Sequence, residues 1–168
     1  MADITNVKLG ICSVKFGGTD LGHTKGGVVL TYTPEYHDVQ VDLYGNTIAE
    51  KVLIGEKFMA KVKLAEATIA NLARALPAED NSVSGKITIG QQAGQRMLAA
   101  AAELVLHPIA NDDLSEDAVI YKAIISNEIA LPFTFDGERV IEVTFEALVD
   151  ESKSDGNYLG LIGDSTAS

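Results

Sequence analysis

The sequence has no tryptophan, a single cysteine, three histidines and only four prolines in 168 residues. Each scarcity excludes something. One thiol, Cys12, cannot form an internal disulfide framework or a zinc ribbon. It sits between Ile11 and Ser13 in an apolar stretch, which reads as a buried thiol rather than a reactive one. His23, His37 and His107 lie far apart, and none has a second His or Cys at metal-ligand spacing. Without tryptophan and with few other aromatics, a stacking platform for sugar rings is not expected. No apolar run approaches the length of a membrane-crossing helix. Met1 to Asn6 carries no basic segment followed by an apolar one, so no secretory signal is expected.

Basic residues are also few. Thirteen Lys and Arg face twenty-four Asp and Glu, for a net charge of −11. Tight nucleic-acid binding requires clustered cations, so DNA is not expected as a held ligand.

No catalytic or ligand motif is complete in the sequence. In the glycine-rich stretch 17–27, Gly17, Gly22 and Thr24 match P-loop spacing, but His23 stands where the phosphate-binding lysine belongs and a strand pattern follows. The acidic group Asp112, Asp113, Glu116 and Asp117 lacks the glycine and closing glutamate of an EF-hand. No Gly-x-Ser-x-Gly elbow occurs. His37 beside Asp38, and His107 before Pro108, read as ordinary strand or loop residues. The expectation is a protein that is not an enzyme and has no cofactor or metal.

What is abundant is strand alternation. Strands are expected at 7–16, 28–33, 36–43, 51–64, 86–89, 119–126 and 139–149. Pro34 is expected to interrupt the second. Phe58, Ala60, Val62 and Leu64 share one face, with Lys57, Lys61 and Lys63 opposite. Asp38 and Asp42 are suited to pair across strands with those lysines. Val119, Tyr121, Ala123 and Ile125 are expected on one face. Ile141, Val143, Phe145 and Ala147 face the core, away from Glu142, Thr144 and Glu146. Between 96 and 107, Ala99 to Ala102 favours helix and Glu103 to Pro108 favours strand; strand is the expectation. One helix is expected at 65–76, with Ile69, Leu72 and Leu76 as its apolar stripe, Glu66 in its first turn and Pro77 as its stop. The chain therefore reads as one mainly β domain, a sandwich or rolled barrel of two sheets flanked by one α-helix. Residues 1–6 and 151–168 are expected to be terminal arms. Several strands are patterned on both faces with unprotected edges, which invites pairing with other chains.

The stretch Gly22-His23-Thr24-Lys25-Gly26-Gly27-Val28, followed by Asp42-Leu43-Tyr44-Gly45-Asn46-Thr47, resembles the major tail tube proteins of long-tailed bacteriophages. Ala65-Glu66-Ala67-Thr68 with Asn71-Leu72, then Leu104 to Pro108, Glu138-Arg139-Val140 with Val143 to Ala147, and Gly160 to Asp164 extend the likeness from about residue 22 to 164. The resemblance implies a structural subunit of the virion tail. Hexameric rings would stack into a hollow tube that passes double-stranded DNA. The tape-measure protein would share the lumen, and terminator and baseplate proteins would cap the ends; no membrane binding is implied. The lumen wall would include Asp38, Gln40, Asp42, Glu142, Thr144 and Glu146. Contacts between rings would involve Tyr44, Asn46, Thr47, Glu50 and Lys51 and the C-terminal arm. Six copies would carry roughly −66 charges, a repulsive conduit for DNA. The alternatives are a terminator, baseplate or phage-derived secretion-tube component of related fold, or a monomeric β-sandwich binding module.

Overall fold

A computed structural model describes residues 10–66, 68–76, 86–90, 93–110, 113–154, 156–164 and 166. Residues 1–6, expected as an N-terminal arm, lie outside them. The elements in chain order are β1 (Cys12–Phe16), β2 (Thr19–Asp20), β3 (Thr24–Gln40), β4 (Ile48–Leu64), α1 (Ile69–Ala75), β5 (Ala102–Pro108), β6 (Ala118–Ile125), β7 (Ile141–Ala147) and β8 (Gly160–Ile162).

The strands form one connected antiparallel sheet in the order β2-β1-β5-β6-β7-β4-β3, with β8 added to β6. The expected two sheets are thus a single hydrogen-bonded one. It bends over its own apolar face. Phe16 on β1 meets Phe145 on β7 with ring centroids 5.1 Å apart, although two strands separate β1 from β7 along the sheet. At the far end the Ala65 amide, just past β4, donates to the His23 carbonyl oxygen at 2.8 Å. Alternation builds the core as expected. Phe58, Ala60, Val62 and Leu64 of β4 and Ile141, Val143 and Phe145 of β7 are all buried. Each fully buried large side chain contributes about 1.5–3 kcal/mol.

Four local expectations need correction. First, Pro34 does not interrupt β3, which runs through it and pairs Pro34 with Glu56. β3 is an edge strand, where a missing N–H is tolerated. Second, β6 does not keep one face. A bulge falls where Ala102 pairs with Ala123 but Leu104 pairs with Ile120. The extra residue switches parity, so Ala118, Ile120 and Ala123 enter the core while Val119 and Tyr121 are buried outside that cluster. Third, residues 86–89 form no strand; Ile87 leans on the core and Ile89 is exposed. Fourth, residues 97–99 form a 3-10 turn and the strand starts only at Ala102.

The helix is shorter than expected. Thr68 caps it, its hydroxyl accepting from the Asn71 amide at 3.2 Å, so Glu66 precedes the helix instead of filling its first turn. Leu72 is buried and Ile69 is half exposed. Asn71 is buried because it has work to do: its amide donates to the Leu21 carbonyl at 2.9 Å and the Glu66 carbonyl at 3.2 Å. The Glu66 carboxylate in turn accepts from the His23 amide at 3.0 Å. It lies so close to Gly22 that a Cβ there would stand 2.6 Å from it.

Candidate functional site

The most distinctive surface is a two-stranded arm. β7 pairs with β4 only between Met59 and Leu64. Beyond that, Pro34–Gln40 and Ile48–Glu56 pair with each other alone. Nearly every residue of this ribbon is exposed. A 3-10 turn, Asp42–Tyr44, reverses the chain, and Gly45 at φ 61 supplies the left-handed backbone that a Cβ disfavours. Opposite charges brace the ribbon. Lys51 pairs with Asp38, and Lys57 with Glu35 at 2.6 Å. The pairing of Asp38 and Asp42 with Lys57, Lys61 and Lys63 is therefore replaced by this register.

The arm also carries exposed apolar side chains. Leu43 at the tip is 83% exposed and Tyr44 59%; Tyr36, Ile48, Val52, Leu53 and Ile54 follow along its length. Tyr36 pairs with Leu53 and, one step on, His37 pairs with Val52, so these side chains lie on both faces of the ribbon. An isolated two-stranded ribbon is at best marginally stable in water.

The expected contact residues converge here. Tyr44, Asn46 and Thr47 form the turn; Glu50 pairs with Val39, and Lys51 with Asp38. Asp38, Gln40 and Asp42, expected on a wall with Glu142, Thr144 and Glu146, also belong to the arm. Gln40 donates to the Asn46 carbonyl at 3.3 Å, and Asp42 opens the 3-10 turn. The structure does not bring the two trios together. Asp38 and Gln40 have the strand parity of Leu30, which packs on the core. Glu142, Thr144 and Glu146 pair with Lys63, Lys61 and Met59 on the outer face of the sheet.

That outer face is patterned by paired charge. Glu142 reaches Lys61 at 2.7 Å and Lys63 at 3.9 Å. The hydrogen bond from Lys61, followed by the charges of Lys61 and Lys63, holds the Glu142 carboxyl below the usual range. The bond to Glu35 holds Lys57 above the ordinary lysine value. The surface is thus close to neutral although the chain is strongly acidic.

Sequence reasoning missed a groove beside the root of the arm. It has a volume of about 410 Å³ and lies between Tyr32, Glu56 and Phe58 on one side and Tyr158 to Ile162 on the other. The Tyr32 hydroxyl donates to the Glu56 carboxylate at its rim, which raises the Tyr32 pKa. The second wall belongs to the segment expected as a C-terminal arm, and its described part is anchored. β8 pairs with β6, the Asp150 amide donates to the Tyr158 carbonyl at 2.9 Å, and Tyr121 donates to Asn157 at 3.1 Å beneath the Lys153 ammonium. Gly160 makes the fit possible: a Cβ there would overlap the Val119 carbonyl oxygen and stand 2.8 Å from the Phe58 ring. Only its alternation with Leu159 and Leu161 hinted at this strand in sequence.

The histidines carry no assembled reaction centre among the described residues. His107 Nδ1 lies 2.6 Å from the buried Asp117 carboxylate. The Ser13 hydroxyl turns to the His107 carbonyl at 3.4 Å, not to the ring. The Asp117 carbonyl accepts from the Gly163 amide at 2.7 Å. The pair therefore fastens β5, the start of β6 and the end of β8 at one point. Burial pushes the Cys12 thiol up, the direction of an unreactive thiol. No group of metal-ligating side chains occurs among the described residues, and no helix in them is long and apolar enough to cross a membrane. No protein-family model and no curated protein matches the chain.

Proposed function

We propose that the chain is a structural subunit that assembles with copies of itself into a hollow tube, as its resemblance to phage tail tube proteins implies. The fold is a rolled barrel flanked by one short helix. Six copies make a ring and rings stack, and the tube carries viral DNA past its wall during ejection into the host. The reading places the protein in the virion tail, with the tape-measure protein in the lumen before DNA and terminator and baseplate proteins at the ends.

The observation that carries this reading is the arm. A ribbon of this length, exposed on both faces and apolar along its course, is a costly surface for a monomer. It becomes an asset when the next ring covers it. The open edge of β3 supports the same conclusion, since a neighbour's strand can continue the sheet.

The outer face of β3, β4 and β7 is the candidate lumen wall. Of the six residues expected there, Glu142, Thr144 and Glu146 fit this position, and Asp38, Gln40 and Asp42 move to the ring contacts. The proposed wall works by neutralising its own lysines, so that a passing phosphate finds no free cation row. Electron microscopy of the purified protein, with sedimentation over a range of concentrations, tests the assembly. Rings or tubes are expected. A sample that stays monomeric at millimolar concentration would overturn the reading.

A further inference from the structure

We infer that the groove at the root of the arm is the socket for the arm tip of a second copy, with Leu43 and Tyr44 as the inserted side chains. The inference rests on the assembly reading above and goes further by naming both halves of the contact.

The tip cannot fill the groove of its own chain. Tyr32 in the groove and Gln40 at the end of β3 are eight residues apart on a continuous strand, which at strand rise is roughly 26 Å. A second copy has no such restriction. The size also fits, because a cavity of about 410 Å³ is of the scale that encloses a small ligand or a few large side chains.

The chemistry matches as well. The groove is lined by Phe58, Tyr158, Leu161 and Ile162, and its rim carries the Glu56 carboxylate. The tip offers two apolar bodies and two neutral donors, the Tyr44 hydroxyl and the Asn46 amide, which a carboxylate accepts. Tip and groove are different patches of one chain, so the contact is head-to-tail. A head-to-tail contact that does not close propagates as an open stack.

The test uses the full chain with Cys12→Ser as background. One preparation carries Leu43→Cys and the other Ile162→Cys; they are mixed and treated with a short bis-maleimide. A cross-linked species joining the two chains is expected. A Thr31→Cys chain, with its cysteine on the opposite face, should give little with Leu43→Cys. Leu43→Asp, at an exposed position, should leave the circular dichroism unchanged and raise the concentration for half-assembly about tenfold or more. Rings or tubes without the Leu43–Ile162 cross-link, or with an equal cross-link to Thr31, overturn the socket and leave the assembly standing. Absence of both assembly and cross-link overturns both.

Discussion

The Asn127 side chain completes the sheet beside Thr144. The Thr144 amide donates to Asn127 Oδ1 at 2.7 Å, and Asn127 Nδ2 donates to the Glu142 carbonyl at 3.0 Å. A side-chain amide here presents the donor and acceptor of a strand residue just past the end of β6. Asn127→Ala removes both partners from the β7 backbone. A loss of about 1–3 kcal/mol is expected, read as a lower urea midpoint with an unchanged slope. Asn127→Asp should recover only part, because a carboxylate accepts from Thr144 but cannot donate to Glu142.

The paired charges of the outer face give a second prediction. Glu142→Lys removes the carboxylate shared by Lys61 and Lys63 and adds a third cation beside them. On the proposed reading the parent protein does not retain duplex DNA, whereas the variant should retain it at low salt and release it steeply as salt rises. Gel-shift or filter retention across a salt series measures this. The fold should change little, since exposed ion pairs contribute only about 0–1 kcal/mol.

Removal of the distal ribbon separates folding from assembly. Replacing residues 36–53 with an Asn-Gly turn deletes no residue of the main apolar cluster. The shortened chain should melt cooperatively as a monomer and form no rings or tubes by microscopy. Loss of the melting transition would show that the ribbon is needed for folding instead.

Gly160→Ala should release β8. The added methyl meets the Val119 carbonyl and the Phe58 ring, and neither can retreat without disturbing β6 or the core. Faster hydrogen exchange is expected at the β6 amides next to β8, with a destabilisation of about 1–3 kcal/mol.

The pH dependence follows from groups shifted in opposite directions. Lys61 holds Glu142 low, the Ser152 hydroxyl holds Asp150 low and the Thr166 hydroxyl holds Asp164 low. Their contributions are full above the ordinary carboxylate range and fade as pH falls through the depressed folded values. Tyr32 and Lys57 are raised by Glu56 and Glu35. Their contributions are full below the ordinary values and fade as pH climbs through the raised ones. Urea midpoints should therefore plateau across neutral pH and drop at both extremes. Absorbance titration should show one tyrosine ionising late, and Tyr32→Phe should remove that phase.

Much of the sheet was legible because period-2 alternation is a direct consequence of one buried face. Residues 141–147 and 58–64 display it without interruption, and both behave as read. It failed where partners, not periodicity, decide. Lys86 to Ile89 alternates but pairs with no strand among the described residues. The bulge opposite Leu104 moves Val119 and Tyr121 to another face, and no local pattern marks it. The arm was half visible. Its turn, Tyr44 to Thr47, is plain in the sequence, whereas its projection beyond the sheet depends on where β7 stops pairing. The groove was invisible because its two walls are about a hundred residues apart in the chain.

On the proposed reading the arm would also act as a gauge. Its two strands pair from Pro34 with Glu56 to Gln40 with Ile48, so its length is a count of residues. One residue added to each strand would turn every side chain beyond it to the wrong face. Two added to each would keep the faces and lengthen the arm by roughly 7 Å. In a stack held tip to root, the spacing between layers would then be written in β3 and β4, and could be reset two residues at a time.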